Sequence, residues 1–392
     1  MNNSNYISIV DYGSKNLRLS VFDKKLNNLC NLSKKIEKNY DYEEQLNAID
    51  FLVKESEKKI SNHLENFVLM LDDQEFISID LSIRKDFDQK IIVKNISPSI
   101  LMEASHLINN NYVKKKIIHT ISIKYIINGQ VFFDLKNNLE GKSIILEIKY
   151  LCLPLEKYNK IINIFKKKNL QIINFFCSSY VKSLSYIKSF KDYEFVAFLD
   201  IGFERSTLSL FNNGKLNFIN FISIGGHHIT KDISKVLNIE IDESEKIKKL
   251  FNKSEIEFSH DINNNHKNDS FLKKILDENI SIDLLKKVVL ARIEEIIELV
   301  FKDLYDAKNL RQSQNSIFVL TGNGSKLFNN NSFNLDDKYN FNEINFYEES
   351  DLEICNSGLN VKVESNVGEV KLNIKSTKKK GFFEKFFNFF AK

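Results

Sequence analysis

Val10-Asp11-Tyr12-Gly13 followed by Leu19-Ser20-Val21-Phe22, and Leu199-Asp200-Ile201-Gly202 followed by Leu208-Ser209-Leu210-Phe211, are one pattern written twice in a single chain. Each is a strand ending on D-x-G and then a second strand, with eleven residues from the Asp to the Phe in both. A lone D-x-G says little, because Asp and Gly are ordinary turn residues. Repetition at identical spacing predicts two equivalent hairpins that face each other across a cleft. Such a pair can present backbone N–H groups to phosphate while the two aspartates approach Mg2+ or its waters. Thr321-Gly322-Asn323-Gly324 supplies a third piece: it follows an apolar strand, and its glycines let backbone lie close to a nucleoside.

Around these hairpins the pattern is α/β. Period-two stretches predict strands at 6–11, 17–23, 26–32, 67–72 and 76–82, with an amphipathic helix over 41–63. The second half opens on a strand over 195–201 and a hairpin over 207–221 turned at Asn213-Gly214. Helices are expected from about His227 and Asp242 and over 282–309, before a strand at 316–320. The Asn-rich run 252–270 reads as a solvated loop.

The last twelve residues have a separate logic. Stepping about 100° per residue places Phe382, Phe383, Phe386, Phe387, Phe389 and Phe390 on one face, and Glu384, Lys385, Asn388 and Lys392 on the other. Lys378, Lys379 and Lys380 precede this helix, each adding on the order of 1 kcal/mol of attraction to an anionic leaflet. The segment is too short to span a bilayer, so it predicts reversible attachment to the surface. A helix this short grips only moderately, and linked copies would correct that, which points to self-assembly.

With 392 residues, 43% of them apolar, the chain can hold two or three domains, and 32 Phe against no Trp makes Phe, Ile and Leu the core formers. A formal charge of +4 is too small to argue for nucleic acid. Cys30, Cys152, Cys177 and Cys355 lack CxxC spacing and read as reduced, buried thiols in a reducing compartment. His227-His228 invites a metal, yet adjacent helical side chains diverge by about 100°; a helix start is the better reading.

These motifs resemble the actin-like ATPase superfamily and, within it, the FtsA family of bacterial cell-division proteins, over nearly the whole chain. The resemblance implies a two-lobed actin-like α/β fold with an inserted FtsA-type 1C (SHS2-like) domain and a C-terminal amphipathic membrane helix. Asp11, Gly13, Ser14 and Lys15 look like the first phosphate loop, Asp200 and Gly202 the second, and Gly322, Asn323 and Gly324 the adenosine loop. Gly225 and Gly226 open a segment similar to the family's stretch after the second hairpin, and Glu245 and Lys248 are implied to approach the ribose or base. ATP and Mg2+ are the implied cofactors, Mg2+ being held through water by Asp11 and Asp200.

The implied organisation is 1–82 (first part of subdomain 1A), 83–160 (1C), 161–193 (second part of 1A), 194–226 (first part of 2A) and 227–309 (2B). Residues 310–361 complete 2A and return to 1A, 362–380 form a flexible basic linker, and 381–392 are the membrane-targeting helix. Strands within 1C are expected at His119–Tyr125 and around Leu139-Glu140-Gly141-Lys142-Ser143-Ile144-Ile145-Leu146-Glu147, with Ser122 where a proline is usual. The resemblance further implies binding of the C-terminal peptide of tubulin-like FtsZ through 2B, self-association into actin-like filaments, and contact of later division proteins with 1C. It places the protein on anionic lipids at the cytoplasmic face of the bacterial cell membrane, at the division site.

One motif departs from the family. Its second phosphate loop usually reads D-I-G-G-G-T-T-D, whereas here it is Asp200-Ile201-Gly202-Phe203-Glu204-Arg205-Ser206-Thr207. Phe203 adds bulk, Glu204 adds an anion beside anions, and Thr207 lacks a carboxylate, which argues against efficient phosphoryl transfer. Arg205 contacts phosphate or pairs with Glu204 on this reading. Two alternatives share the superfamily core: a PilM-like pilus-assembly protein, which the terminal helix speaks against, and a small-molecule kinase or ATPase, which the altered loop disfavours.

Overall fold

The structure, a computed structural model, describes residues 6–37, 41–258, 281–302, 315–327 and 341–368. In chain order its strands are β1 Tyr6–Tyr12, β2 Asn16–Asp23, β3 Asn28–Lys35, β4 Asn66–Leu71, β5 Ile77–Ile92, β6 Lys115–Ile127 and β7 Gln130–Phe132. They continue with β8 Glu140–Pro154, β9 Gln171–Cys177, β10 Phe195–Ile201, β11 Ser206–Asn212, β12 Lys215–Ile222, β13 Ser316–Thr321 and β14 Glu343–Phe346. The helices are α1 Tyr42–Ile60, α2 Val93–Asn111, α3 Leu155–Lys166, α4 Ser178–Tyr186, α5 Gly226–Leu237, α6 Ile241–Phe258, α7 Ile282–Phe301 and α8 Asp351–Gly368.

Two sheets repeat one topology. The first runs β3-β2-β1-β4-β9 and the second β12-β11-β10-β13-β14, antiparallel in the hairpins and parallel thereafter. The hairpin registers coincide: Asp11 lies opposite Arg18, and Asp200 opposite Thr207. Strand alternation explains how the second sheet is covered on both faces. Val196 and Phe198 of β10 and Ile317 and Val319 of β13 join the core shared with the first lobe, while Ala197, Leu199, Ile201, Phe318 and Leu320 face a second core under α5 and α7.

Helix ends follow local chemistry. Asp41 caps α1 by accepting from the N–H groups of Glu43 and Glu44 at 2.9 and 3.2 Å, and Ser281 caps α7 by accepting from that of Leu284. Leu285, Val289, Ile293, Ile296 and Val300 form the buried stripe of α7. Asn213 and Gly214, with φ of 48° and 75°, make the β11–β12 turn expected of an Asn-Gly pair.

Four expectations are revised. The third strand starts at Asn28 and not at Leu26, because the Asp23 carboxylate accepts from the N–H groups of Lys25 and Asn27 and holds Leu26 in the turn at φ 68°. The strand expected at 76–82 is β5, which continues to Ile92 because β8 pairs with it as far as Asp86 and, after a register shift, again at Ile91 and Ile92. Part of the run read as a loop from Asn252 is helical, α6 extending to Phe258. The linker expected from 362 begins as helix, since α8 is anchored through buried Ile354, Leu359 and Val361 and propagates to Gly368.

The third sheet, β5-β8-β6-β7, carries α2 on its own core of Ile100, Ala104, Ile144, Leu146 and Tyr150. The domain boundaries expected at 83 and 160 fall inside β5 and α3. All four cysteines are free and buried. Among the described residues no helix is long and apolar enough to cross a membrane. The tail with Lys378 to Lys392 lies outside the described residues.

Candidate functional site

Parallel strands β1, β4 and β10, β13 point their carboxyl ends into one interlobe cleft, the usual ligand position in open α/β sheets. Asp11 and Asp200 stand one residue before the ends of β1 and β10 and are both buried. Neither carboxylate is bare. Arg18 reaches across the first hairpin to Asp11 at 2.8 Å, Ser178 donates its hydroxyl to Asp11 at 2.8 Å, and Arg18 also bonds Asp351. In the second hairpin Thr207 holds the place of Arg18, so no cation comes from across the ladder. Lys182 of α4 supplies it, 2.7 Å from Asp200 Oδ2 and off the line of a hydrogen bond, and 3.0 Å from Glu349.

Glu349 is saturated as well, accepting from the Tyr186 hydroxyl at 2.8 Å and the Gly322 N–H at 2.9 Å. Burial opposes the Lys182 ammonium, but Asp200 and Glu349 outweigh it and hold the group charged well above the usual lysine range. Burial pushes the Glu349 carboxyl up against the pull of Lys182. It also pushes Asp72 up to about 6, against the pull of Arg205. A dication about 4 Å from such an ammonium meets a repulsion on the order of 8 kcal/mol at an effective dielectric near 20.

The remaining expected site residues form two clusters. In the second lobe, Gly202, Gly225, Gly226, Gly322 and Gly324 wrap the end of β10. A Cβ on Gly322, which has φ +81°, would stand 2.4 Å from Asp200 Oδ1, and one on Gly324 2.4 Å from Ile201 Cγ2. Asn323 opens the short 3-10 turn Asn323–Leu327 and is exposed. Lys248 folds back on α5, donating to the Gly226 carbonyl at 2.8 Å and to the Thr230 hydroxyl at 2.7 Å, and pairing with Glu245 at 2.6 Å. Burial opposes the Glu245 charge, yet Lys248, Thr230 and Lys249 hold its pKa at about 2.

In the first lobe, the Gly13 N–H donates to the Asn16 carbonyl and Ser14 is half-buried in the loop to β2. Lys15 donates to the Glu37 carbonyl at 2.9 Å and lies 5.1 Å from the Phe203 ring centroid. Phe203 in turn stacks on His227 at 4.6 Å, so the residue that replaces a loop glycine is packed between a lysine and a helix start. His227 and His228 begin α5, and His228 Nδ1 accepts from the Gly225 N–H. The second loop is tied to the start of α5 by backbone bonds: the Gly202 N–H donates to the Arg205 carbonyl, the Gly226 N–H to that of Gly202, and the His227 N–H to that of Phe203.

Arg205 is engaged by groups of the first lobe. It crosses the cleft to Asp72 Oδ1 at 2.5 Å, the Asp73 carbonyl at 2.6 Å, Ser179 Oγ at 2.7 Å and Cys177 Sγ at 3.5 Å. Phe76 and Phe221 flank the guanidinium at 5.1 and 4.5 Å. Arg18, Asp72, Ser178, Lys182 and Glu349 belong to no motif. Only Arg18 had a signal, because aligning the two hairpins already sets it opposite Asp11.

Backbone crowding at this joint gives a direct prediction. A Cβ on Gly225 would lie 2.7 Å from both Arg205 N and the Gly202 carbonyl oxygen. Gly225→Ala is therefore expected to destabilise the protein by about 1–3 kcal/mol in urea unfolding, since backbone on both sides must shift.

Residues 197–327 match the family model for cell division protein FtsA. The chain is similar to the cell division protein FtsA of Agrobacterium fabrum, 29% identical over 138 residues, which are 33% of this chain and 30% of that protein. The match thus spans about a third of the curated relative's length. Over 90% of this chain and 97% of the other, the structure resembles the PilM-PilN type IV pilus biogenesis complex, with a TM-score of 0.60 and 13% identity. Over 93% of this chain and 98% of the other, it resembles MreB 5 of Spiroplasma citri bound to AMPPNP, with a TM-score of 0.50 and 11% identity. The fold is the actin-like ATPase fold.

Proposed function

We propose that this FtsA-like chain is a cell-division adaptor, an actin-like scaffold that joins a cytoskeletal filament to a membrane. The observation that carries this reading is the FtsA family match over 197–327, a stretch that runs from β10 through β13 of the second lobe. On this reading residues 227–309 receive the C-terminal peptide of FtsZ, and 381–392 lie on anionic lipid at the cytoplasmic face of the membrane. Copies associate as an actin-like polymer, and the domain built on the third sheet meets later division proteins. The PilM-like alternative draws on likeness to the PilM-PilN complex, which at 13% identity is a likeness of fold. A kinase would need cleft charges free to position metal and phosphate, and here Asp11 and Asp200 are paired with Arg18 and Lys182.

The tail and the peptide test the two ends of the adaptor. The full chain is expected to co-sediment with liposomes containing anionic lipid and to carry a fluorescent FtsZ C-terminal peptide into the pellet. Deleting 381–392 or making Phe386→Asp should reduce sedimentation to the background of lipid-free samples, because it removes or charges the apolar face. Unchanged sedimentation of both variants would refute the membrane attachment, and peptide left in the supernatant would refute the FtsZ role.

A further inference from the structure

We propose that Lys182 and Arg205 clasp the interlobe cleft from opposite sides, so that the two lobes stay together without a nucleotide or a divalent cation. The inference deepens the adaptor reading and rests on it for one consequence: assembly on the membrane would be set by copy number and lipid, not by a nucleotide cycle. The clasp itself is argued from geometry.

Each cation bridges parts of the chain that a hinge would separate. Lys182 sits on α4, which follows β9 of the first sheet, and pairs with Asp200 at the end of β10 of the second. Arg205 lies between β10 and β11, and the four groups it donates to, on Asp72, Asp73, Cys177 and Ser179, follow or end β4 and β9. The two are counter-directed, one cation from each lobe reaching into the other. Around them the seam is closed by the Phe76 and Phe221 rings, with centroids 6.2 Å apart, and by the Ser223 hydroxyl donating to the Gln74 carbonyl at 2.9 Å.

The expected cofactors do not fit this arrangement. Mg2+ held by Asp11 and Asp200 needs their charge available through water. Asp11 is neutralised by Arg18, and Asp200 shares Lys182 with Glu349. Both side chains of the Lys182–Asp200 pair are only 9% exposed, so bulk water cannot screen the ammonium from an incoming dication. The second loop also carries the bulk of Phe203, stacked on His227 at 4.6 Å and 5.1 Å from the Lys15 ammonium, where phosphate would approach. An opened cleft also leaves Asp72, Asp200 and Glu349 without their cations, whereas the closed one keeps each carboxylate beside a cation.

The test uses the full chain. Gln74→Cys and Ser223→Cys place two exposed thiols on opposite sides of the seam, and the four native cysteines are buried. A short bismaleimide should link the pair at the same rate with no addition, with ATP, and with ATP plus Mg2+. Titration of a fluorescent ATP analogue should show no saturable binding that EDTA reverses. Adding Arg205→Ala to the cysteine pair should slow linkage at least fivefold. If that variant does not fold, Arg205→Lys, which keeps the charge but loses the fork, should slow it at least twofold. Linkage that quickens threefold or more with ATP plus Mg2+, saturable Mg2+-dependent binding, or linkage indifferent to Arg205 would each overturn the inference. Liposome and FtsZ-peptide binding report on the adaptor reading alone, so either conclusion can fail while the other stands.

Discussion

Lys182→Ala is expected to lower the free energy of unfolding by about 3–5 kcal/mol, the cost of removing one partner from a buried ion pair. The ammonium lies 2.7 Å from Asp200 and 3.0 Å from Glu349, and its loss leaves two buried carboxylates facing each other. The effect has a pH signature. Burial already raises the Glu349 carboxyl, and removing Lys182 raises it further. A carboxyl whose folded pKa lies above its unfolded value adds stability at low pH and loses it as pH rises through the folded pKa. The deficit of the variant should therefore be largest near neutrality and narrow in mild acid. Urea unfolding of both proteins at pH 7 and pH 5 checks this; an equal deficit at both would show that the carboxylates are not what Lys182 holds in check. Lys182→Met, which restores apolar volume without charge, should keep most of the pH dependence while recovering part of the packing.

His119 governs the second large effect. It stands on β6 of the third sheet, its Nε2 accepting from the Cys177 N–H at 2.9 Å, with Phe176 stacked on it at 5.6 Å and Tyr180 edge-on at 4.8 Å. Cys177 ends β9 immediately before Ser178, Ser179 and Lys182, so this one acceptor fixes the turn that carries the cleft's lobe-one groups. Burial pushes the imidazole down to about 3. The folded value lies below the unfolded one, so the stability is fully present above about pH 6.5 and is lost as pH falls toward 3. The full loss is on the order of 5 kcal/mol, and about 2 kcal/mol of it falls between pH 7 and pH 5 at about 1.4 kcal/mol per unit. His119→Gln keeps a neutral acceptor and gives up the ring contacts. It is expected to be less stable at pH 7 but flatter between pH 7 and pH 5, and a variant as acid-sensitive as the parent would remove His119 as the cause.

Legibility in the sequence followed the range of the interactions. The paired D-x-G hairpins and the Asn213-Gly214 turn depend on periodicity and neighbours within a few residues, and they lie where the pattern put them. The departure of the second loop was also legible, because Phe203 and Glu204 announce themselves by residue type. What Phe203 does there was not: its place between Lys15 and His227 joins side chains from three segments. Strand limits shifted where a side chain intervened, as Asp23 does before β3, or where a partner strand outlasted the local signal, as β8 does for β5.

By itself the sequence determined that there are two equivalent hairpins and a glycine turn after an apolar strand, because each is a local pattern of period and residue type. Only the tertiary structure decided what the cleft's charges are for. Arg205 meets Asp72 from 133 residues away and Lys182 meets Glu349 from 167, and no spacing along the chain encodes such a pair. The choice falls to folding because burial makes an unpaired charge so costly that each carboxylate must find whichever cation the packed lobes bring within reach.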